Sequence, residues 1–153
     1  MGTVATYLNF MGRTAEAFEH YRSAFGTEYV APPMTMGEAP MGDGAPPMSD
    51  EDRRAIMHIA LPILGGHVLM GTDMLESLGH QLVEGTNVSI MLMPDTRAEA
   101  DRLFAVLGEG GTDLTPPQDM FWGDYFGSCR DRFGIGWMFN VASTPGTTAD
   151  ARR

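Results

Sequence analysis

The chain has 153 residues, of which 43% are hydrophobic and 20% are charged, and this length suits one domain or two small subdomains. Its single cysteine, Cys129, excludes an internal disulfide framework and a zinc site built from several cysteines. The net charge is −10, and the ten basic residues are all arginine. The lack of lysine excludes Schiff-base lysine chemistry and the phosphate-gripping P-loop lysine.

The charge pattern also bears on partners. The arginines are scattered along the chain, which argues against nucleic acid, because clustered cations are needed to neutralise its phosphates. No apolar run reaches the roughly 18 residues of a membrane-spanning helix. The N-terminus has neither the basic start nor the apolar run of a signal peptide. We therefore expect a cytoplasmic protein that binds neither nucleic acid nor membranes.

The first elements in the chain are a strand and a helix. Residues 3–10 alternate and are rich in β-forming side chains, which predicts a strand. Residues 14–25 carry an apolar stripe at helical spacing, with Thr14 as the expected N-cap and Gly26 as the C-terminal stop.

The next segment mixes irregular and regular structure. Residues 28–35 are a second strand candidate, weakened by two prolines. Residues 36–48 are rich in proline and glycine, so we expect a flexible loop there. Residues 49–54 predict one helical turn with Ser49 as its cap, and residues 55–73 a β-hairpin that turns near its two central glycines.

The second half repeats this order. The predicted elements are a strand at 87–93, a helix at 96–107, a short strand near 113–115, and strands at 122–130 and 135–141. A strand, a helix and three strands therefore occur twice, at about 3–73 and 87–141, which indicates an internal repeat. Two such βαβββ modules can join their sheets into one curved surface with a cleft. The polar tail, residues 144–153, is expected to fray.

Three segments carry a family resemblance. They are YLNF with AEAFEHYRSAFG in residues 7–26, MHIAL with GGHVLMGTD in residues 57–73, and WGDYFGSCRDRFGIGW in residues 122–137. In order and spacing they resemble the PhnB-like branch of the vicinal-oxygen-chelate superfamily, which includes glyoxalase I and bleomycin-resistance proteins. The resemblance implies an α+β fold in which two βαβββ modules form a cup-shaped mixed sheet with helices outside, one glyoxalase-like domain over residues 1–143, and a homodimer.

The resemblance also bears on cofactors. Enzymes of the superfamily hold a divalent metal with His, Glu or Gln from four strands, and the metal polarises paired oxygens of the substrate. By that resemblance the ligand positions fall near Ala5, Met70, Ser89 and Met138. Since a methyl group, two thioethers and one hydroxyl are poor ligands for such an ion, we expect no metal and no other cofactor. Some relatives are named as ubiquinone-pathway methyltransferases, but no glycine-rich loop supports that chemistry here.

The position of His58 depends on the register of the hairpin. A two-residue loop would pair His58 with Asp73, and a three-residue loop would pair it with Thr72, on the same face as Met70. Met57 and the alternate residues after it form the stronger apolar row, which should pack under the helix. We therefore expect the three-residue loop, with His58 in the cup. The alternative is a histidine hydrogen-bonded at the sheet margin.

Strand alternation gives the remaining candidates. The residues expected to line the cup and bind ligand are Tyr7, Asn9, His58, Met70, Ser89, Met91, Trp122, Met138 and Asn140. His58 is the candidate for an acid–base step. Other polar groups have simpler interpretations: His67 and His80 as solvated side chains, Asp119, Asp124 and Asp131 as turn residues, and Cys129 as a buried thiol.

Three functions follow from these features. The first is a metal-free PhnB-like protein whose cup binds a small, largely apolar organic molecule. The second is a metal-dependent lyase, isomerase or dioxygenase of the same superfamily, with ligands at other positions. The third is a structural or regulatory dimerisation module with a vestigial cleft. The residues leave open whether the protein turns over a substrate.

Overall fold

The computed structural model describes residues 1–143, and the chain divides into two compact units that begin at Met1 and Glu84. Each unit has one four-stranded mixed sheet and one long helix, so the predicted α+β fold of two βαβββ modules is confirmed. The tail predicted to fray lies outside the described residues. Within residues 1–143 no helix combines the length and the apolar character needed to cross a bilayer.

The first unit follows the predicted order of elements. Its elements are β1 (Thr6–Phe10), α1 (Thr14–Phe25), β2 (Met34–Thr35), α2 (Asp50–Arg54), β3 (Ile56–Pro62) and β4 (Val68–Asp73). The strands lie in the order β1-β4-β3-β2, where β1 runs parallel to β4 and the other pairs are antiparallel. Short 3₁₀ turns occur at Met36–Glu38, Leu64–Gly66 and Glu76–Leu78.

The helix α1 has the predicted bounds and packs its apolar stripe inward. Phe18 and Tyr21 are fully buried, and Gly26 ends the helix in the left-handed conformation at φ 64°. The expectation that Thr14 caps the helix is wrong. Arg13 occupies the N-cap position, and Thr14 is the first helical residue, whose hydroxyl donates to Asp73 at 2.7 Å.

The β3–β4 hairpin has the register predicted from its apolar row. Ala60 pairs with Met70 and Leu61 with Leu69, and the turn is the three-residue segment Leu64–Gly66. Leu61 and Leu69 are fully buried. On the same face, Gly71 lets α1 approach closely, because a Cβ there would lie 2.6 Å from the ring of Phe18.

Several strands differ in length from the predictions. The strand expected at 28–35 is only Met34–Thr35, because Pro32 and Pro33 cannot donate ladder hydrogen bonds. The first strand starts at Thr6, so Val4, expected under the helix, is 84% exposed. The helical turn after Ser49 is confirmed, with the Ser49 hydroxyl accepting from the Asp52 N–H at 3.1 Å.

The second unit repeats the arrangement. Its elements are β5 (Ile90–Leu92), α3 (Arg97–Gly108), β6 (Thr112–Asp119), β7 (Tyr125–Arg130) and β8 (Gly136–Val141). The sheet order is β5-β8-β7-β6, with β5 parallel to β8. Trp137 and Phe139 of β8 are fully buried, as strand alternation predicted, and the Thr96 hydroxyl caps α3 by accepting from the Glu99 N–H.

Three strands of this unit depart from the predicted bounds. Strand β5 spans three residues instead of seven, and Val88, which was expected to be buried, is 74% exposed. Strand β7 starts at Tyr125, three residues after the predicted start, because the preceding segment forms a turn. Strand β6 has eight residues instead of three. It includes Pro116 and Pro117, which it tolerates as an edge strand with register shifts.

Candidate functional site

The sheet of the first unit has two chemically different faces. The face that packs on α1 carries buried aliphatic residues, including Leu61 and Leu69. The opposite face, here called the distal face, carries Tyr7, Asn9, His58 and Met70. These four were predicted to share a face, and the pairing confirms this: Tyr7 lies beside Met70 across the parallel β1–β4 ladder, and the β3–β4 register carries His58 to the same side.

A hydrogen-bonded aromatic pair is the main polar feature of the distal face. The Tyr7 hydroxyl lies 3.3 Å from Nδ1 of His58, and the two rings are 6.0 Å apart at an angle of 38°. Tyr7 is 47% exposed, and His58 is half-buried. The two residues are 51 positions apart in the sequence, so the hairpin register is what brings them together.

The neighbours of this pair are apolar or already engaged. Met70 is half-buried beside Tyr7. The Thr72 hydroxyl donates to the carbonyl oxygen of Met57 at 2.8 Å, which leaves it less available to a ligand. Asn9 is exposed and lies across from Thr72. The distal face therefore offers one polar pair and one amide next to a flexible thioether.

The predicted residues of the second unit lie on or next to its sheet. Met91 of β5 pairs with Met138 of β8, and Met138 pairs with Ser128 of β7. Met91 is 44% exposed, whereas Met138 is half-buried. Ser89 precedes β5 and is exposed, with its hydroxyl close to Gly136. Two thioethers on neighbouring strands form a second apolar surface.

Trp122 and Asn140 have other local partners. Trp122 lies in the turn between β6 and β7, where its ring packs edge-on against Phe121 at 4.9 Å between centroids. Asn140 donates from its amide to the Asp124 carboxylate at 3.2 Å, and the same carboxylate accepts from the Ser143 N–H. Asp124 thus has the turn role predicted for it, and it engages one of the two amide donors of Asn140.

The remaining histidines and the cysteine have structural roles. His67 is half-buried, and its Nε2 lies 2.9 Å from the Thr6 hydroxyl, so the expectation of a solvated side chain is wrong for this residue. His80 is exposed, and its Nδ1 accepts from the Leu75 N–H. Cys129 is buried as predicted, and this burial raises the pKa of its thiol to about 12, which disfavours a nucleophilic role.

Each unit contains a buried carboxylate that accepts several hydrogen bonds. Asp73, at the end of β4, accepts from the N–H groups of Gly12, Thr14 and Ile56 and from the Thr14 hydroxyl. Asp131 accepts from two N–H groups of its own turn and from the indole of Trp137 at 2.8 Å. The sequence assigned Asp131 to a turn but gave no role to Asp73. The only sequence signal for Asp73 is its position as the acidic residue at the end of an apolar strand.

The donor chemistry does not fit the divalent ion that the superfamily implies. Of the four predicted ligand positions, Ala5 and Met70 lie in the first unit, and Ser89 and Met138 in the second. None of them carries an imidazole, a carboxylate or an amide, which are the usual ligands of such ions. Within residues 1–143 no group of three or more His, Cys, Asp or Glu side chains is placed to hold a metal.

Comparisons with known proteins agree with the fold. The protein YjdN of Escherichia coli K12 is 28% identical over 143 residues, which cover 90% of this chain and 94% of YjdN. The crystal structure of protein PA1353 from Pseudomonas aeruginosa is 33% identical, with a TM-score of 0.79, and the match covers 94% of this chain and 100% of that chain.

A further structure shares the fold. It is described as a putative 3-demethylubiquinone-9 3-methyltransferase, PhnB protein, from Bacillus cereus, is 24% identical with a TM-score of 0.69, and covers 92% of this chain and 100% of its own. A family model described as the Glyoxalase/Bleomycin resistance protein/Dioxygenase superfamily matches residues 4–139. The resemblance inferred from the three sequence segments is confirmed, and the chain belongs to the glyoxalase/bleomycin resistance protein/dioxygenase superfamily.

Proposed function

We propose that the chain binds a small, largely apolar organic molecule, without a divalent metal, at sheet surfaces that include the distal face of the first unit. The observation that carries this proposal is the Tyr7–His58 pair beside Met70. Ligand sites are mostly apolar and hold a few polar groups that orient the ligand. A half-exposed tyrosine and an adaptable thioether supply the apolar part, and the hydroxyl–imidazole pair supplies the polar part.

The proposal extends to the second unit. Its residues with an assigned binding role are Ser89, Met91, Trp122, Met138 and Asn140. Met91 and Trp122 support this assignment most directly, because they expose 44% and 46% of their surface. We also propose that the chain forms a homodimer, which light scattering after size exclusion tests. A mass near twice the 16.6 kDa of the chain supports this, and the mass of one chain contradicts it.

Equilibrium dialysis with 2-ethylnaphthalene tests the apolar site. We expect saturable binding to the wild-type protein and about fivefold to tenfold weaker binding to Met70→Gln, because this substitution puts a polar amide where the ligand would bury apolar surface. Met41→Gln is the matched control, since Met41 is 44% exposed but lies in the loop before α2. Equal affinity of the two variants, or no saturable binding, contradicts the proposal.

Metal analysis tests the second part of the proposal. The protein is dialysed against EDTA, loaded with Ni²⁺, Mn²⁺, Fe²⁺ or Zn²⁺, dialysed again and analysed by elemental mass spectrometry. We expect far less than one ion per chain and unchanged binding of 2-ethylnaphthalene. One tightly retained ion per chain contradicts the proposal and favours a metal-dependent lyase, isomerase or dioxygenase.

A further inference from the structure

We infer that the distal face selects apolar ligands that carry an uncharged carbonyl oxygen, which accepts a hydrogen bond from Nε2 of His58. This inference rests on the proposed function and names the class of ligand for the same site. It follows from the hydrogen bond that Tyr7 makes, from the access to the second imidazole nitrogen, and from the lack of formal charge on this face.

We assign the Tyr7 hydroxyl as the donor in its contact with His58, and this assignment fixes which nitrogen of the imidazole holds the proton. A phenol hydroxyl is a good donor, and its oxygen lies 3.3 Å from Nδ1. When the hydroxyl donates to Nδ1, the neutral imidazole keeps its proton on Nε2. His58 then presents an N–H donor at Nε2, and a ligand atom that meets this group must be an acceptor.

The Nε2 atom of His58 is available for such a contact. Among residues 1–143, the hydrogen bond of the His58 side chain is the one with Tyr7, and Nε2 of His58 is not one of the buried nitrogen atoms that lack a partner. It therefore keeps access to solvent. A ligand oxygen that replaces water there satisfies the donor, whereas a purely apolar ligand would leave it without a partner, which is unfavourable.

The charge of the protein favours a carbonyl over a carboxylate. Tyr7, Asn9 and Met70 carry no charge, and His58 is neutral in the arrangement above, so the face offers no cation to an anionic ligand. The net charge of −10 adds a repulsive field for anions. A ketone or a similar uncharged carbonyl on an apolar frame avoids both penalties and still provides the acceptor.

Two probes of nearly the same shape test this inference. Equilibrium dialysis compares 2-acetylnaphthalene, which has a carbonyl oxygen, with 2-ethylnaphthalene, which lacks it. We expect the wild-type protein to bind the acetyl compound about fivefold more tightly, the effect of one neutral hydrogen bond, and His58→Phe to bind both equally. His80→Phe is the control, because it makes the same substitution at an exposed histidine outside the distal face, and it should keep the preference.

A second measurement is independent of these variants. Nitrogen-15 NMR of the imidazole should show the proton on Nε2 of His58 in the wild-type protein, and Tyr7→Phe should shift the ring toward a mixture of both tautomers. A proton on Nδ1 in the wild-type protein overturns the inference. Equal binding of the two probes to the wild-type protein also overturns it, while leaving the apolar site intact. If neither probe binds, the proposed function fails and the inference fails with it.

Discussion

Replacing Asp73 with alanine should destabilise the first unit strongly. The carboxylate is only 4% exposed and accepts four hydrogen bonds, from Gly12 N, Thr14 N, Thr14 Oγ1 and Ile56 N, at 2.7 to 3.1 Å. These donors belong to the start of α1 and the start of β3. A negative charge at the N-terminus of α1 also interacts favourably with the helix dipole. Asp73→Ala removes all of these contacts at once.

The size of this stability loss depends on whether each hydrogen-bond donor finds another acceptor after the substitution. A buried donor that loses its partner costs about 1–3 kcal/mol, and three of the four hydrogen bonds of Asp73 are buried. Asp73 also lines a cavity of about 630 Å³, from which water can reach some of the freed donors. We therefore expect a loss near the lower end of the sum, about 3–5 kcal/mol of unfolding free energy.

Urea unfolding followed by far-ultraviolet circular dichroism measures this loss. Tryptophan fluorescence is unsuitable, because Trp122 and Trp137 both lie in the second unit. Asp43→Ala is the matched control, since it removes the same charge from an exposed loop residue and should change stability by less than about 0.5 kcal/mol. A difference between the two variants below about 1 kcal/mol would refute the role assigned to Asp73.

Three further predictions concern packing, ionisation and the second unit. Gly71→Ala places a Cβ 2.6 Å from the ring of Phe18 and should cost about 1–3 kcal/mol in the same assay; unchanged stability would contradict this packing. Because burial raises the pKa of the Cys129 thiol from 9.0 to about 12, Ellman's reagent at pH 8 should react only with the unfolded protein. Stability should also fall as the pH rises from 9 toward 12, since the unfolded thiol ionises first. Cys129→Ala should reduce this dependence but not remove it, because the pKa of Tyr29 is also raised, to about 12. Asp131→Ala leaves the buried Trp137 indole and two N–H groups without their acceptor, so it should lower the unfolding free energy by about 3 kcal/mol. Tryptophan fluorescence in urea measures this loss, and a value below about 1 kcal/mol would contradict the role of Asp131.

The elements with strong local signals could be predicted from the sequence. Helix α1 has the predicted bounds, because its apolar stripe and the glycine that follows it are local features. The register of the β3–β4 hairpin was also predictable, because a shift of one residue would have moved an entire apolar row to the wrong face. That register placed His58 on the same side as Met70.

The strand ends were less predictable. Val4 and Val88 continue the alternation of β1 and β5, yet both lie outside the strands and are exposed. Alternation shows which side a residue would face, but the length of the neighbouring strand determines where pairing stops. Strand β6 is longer than predicted because β7 is available as its antiparallel partner, a condition that no local pattern contains.

By itself, the sequence determined the two βαβββ modules, the bounds of α1 and the side that each strand residue would face, since these depend on spacing between near neighbours. Its resemblance to known proteins indicated the family. Only the tertiary structure decided which distant groups meet. The Asp73 carboxylate meets donors 59 and 61 residues away, and the Tyr7 hydroxyl meets an imidazole 51 residues away. Such contacts depend on how strands β1, β3 and β4 assemble in three dimensions, because residues far apart in the chain become neighbours only when the sheet forms.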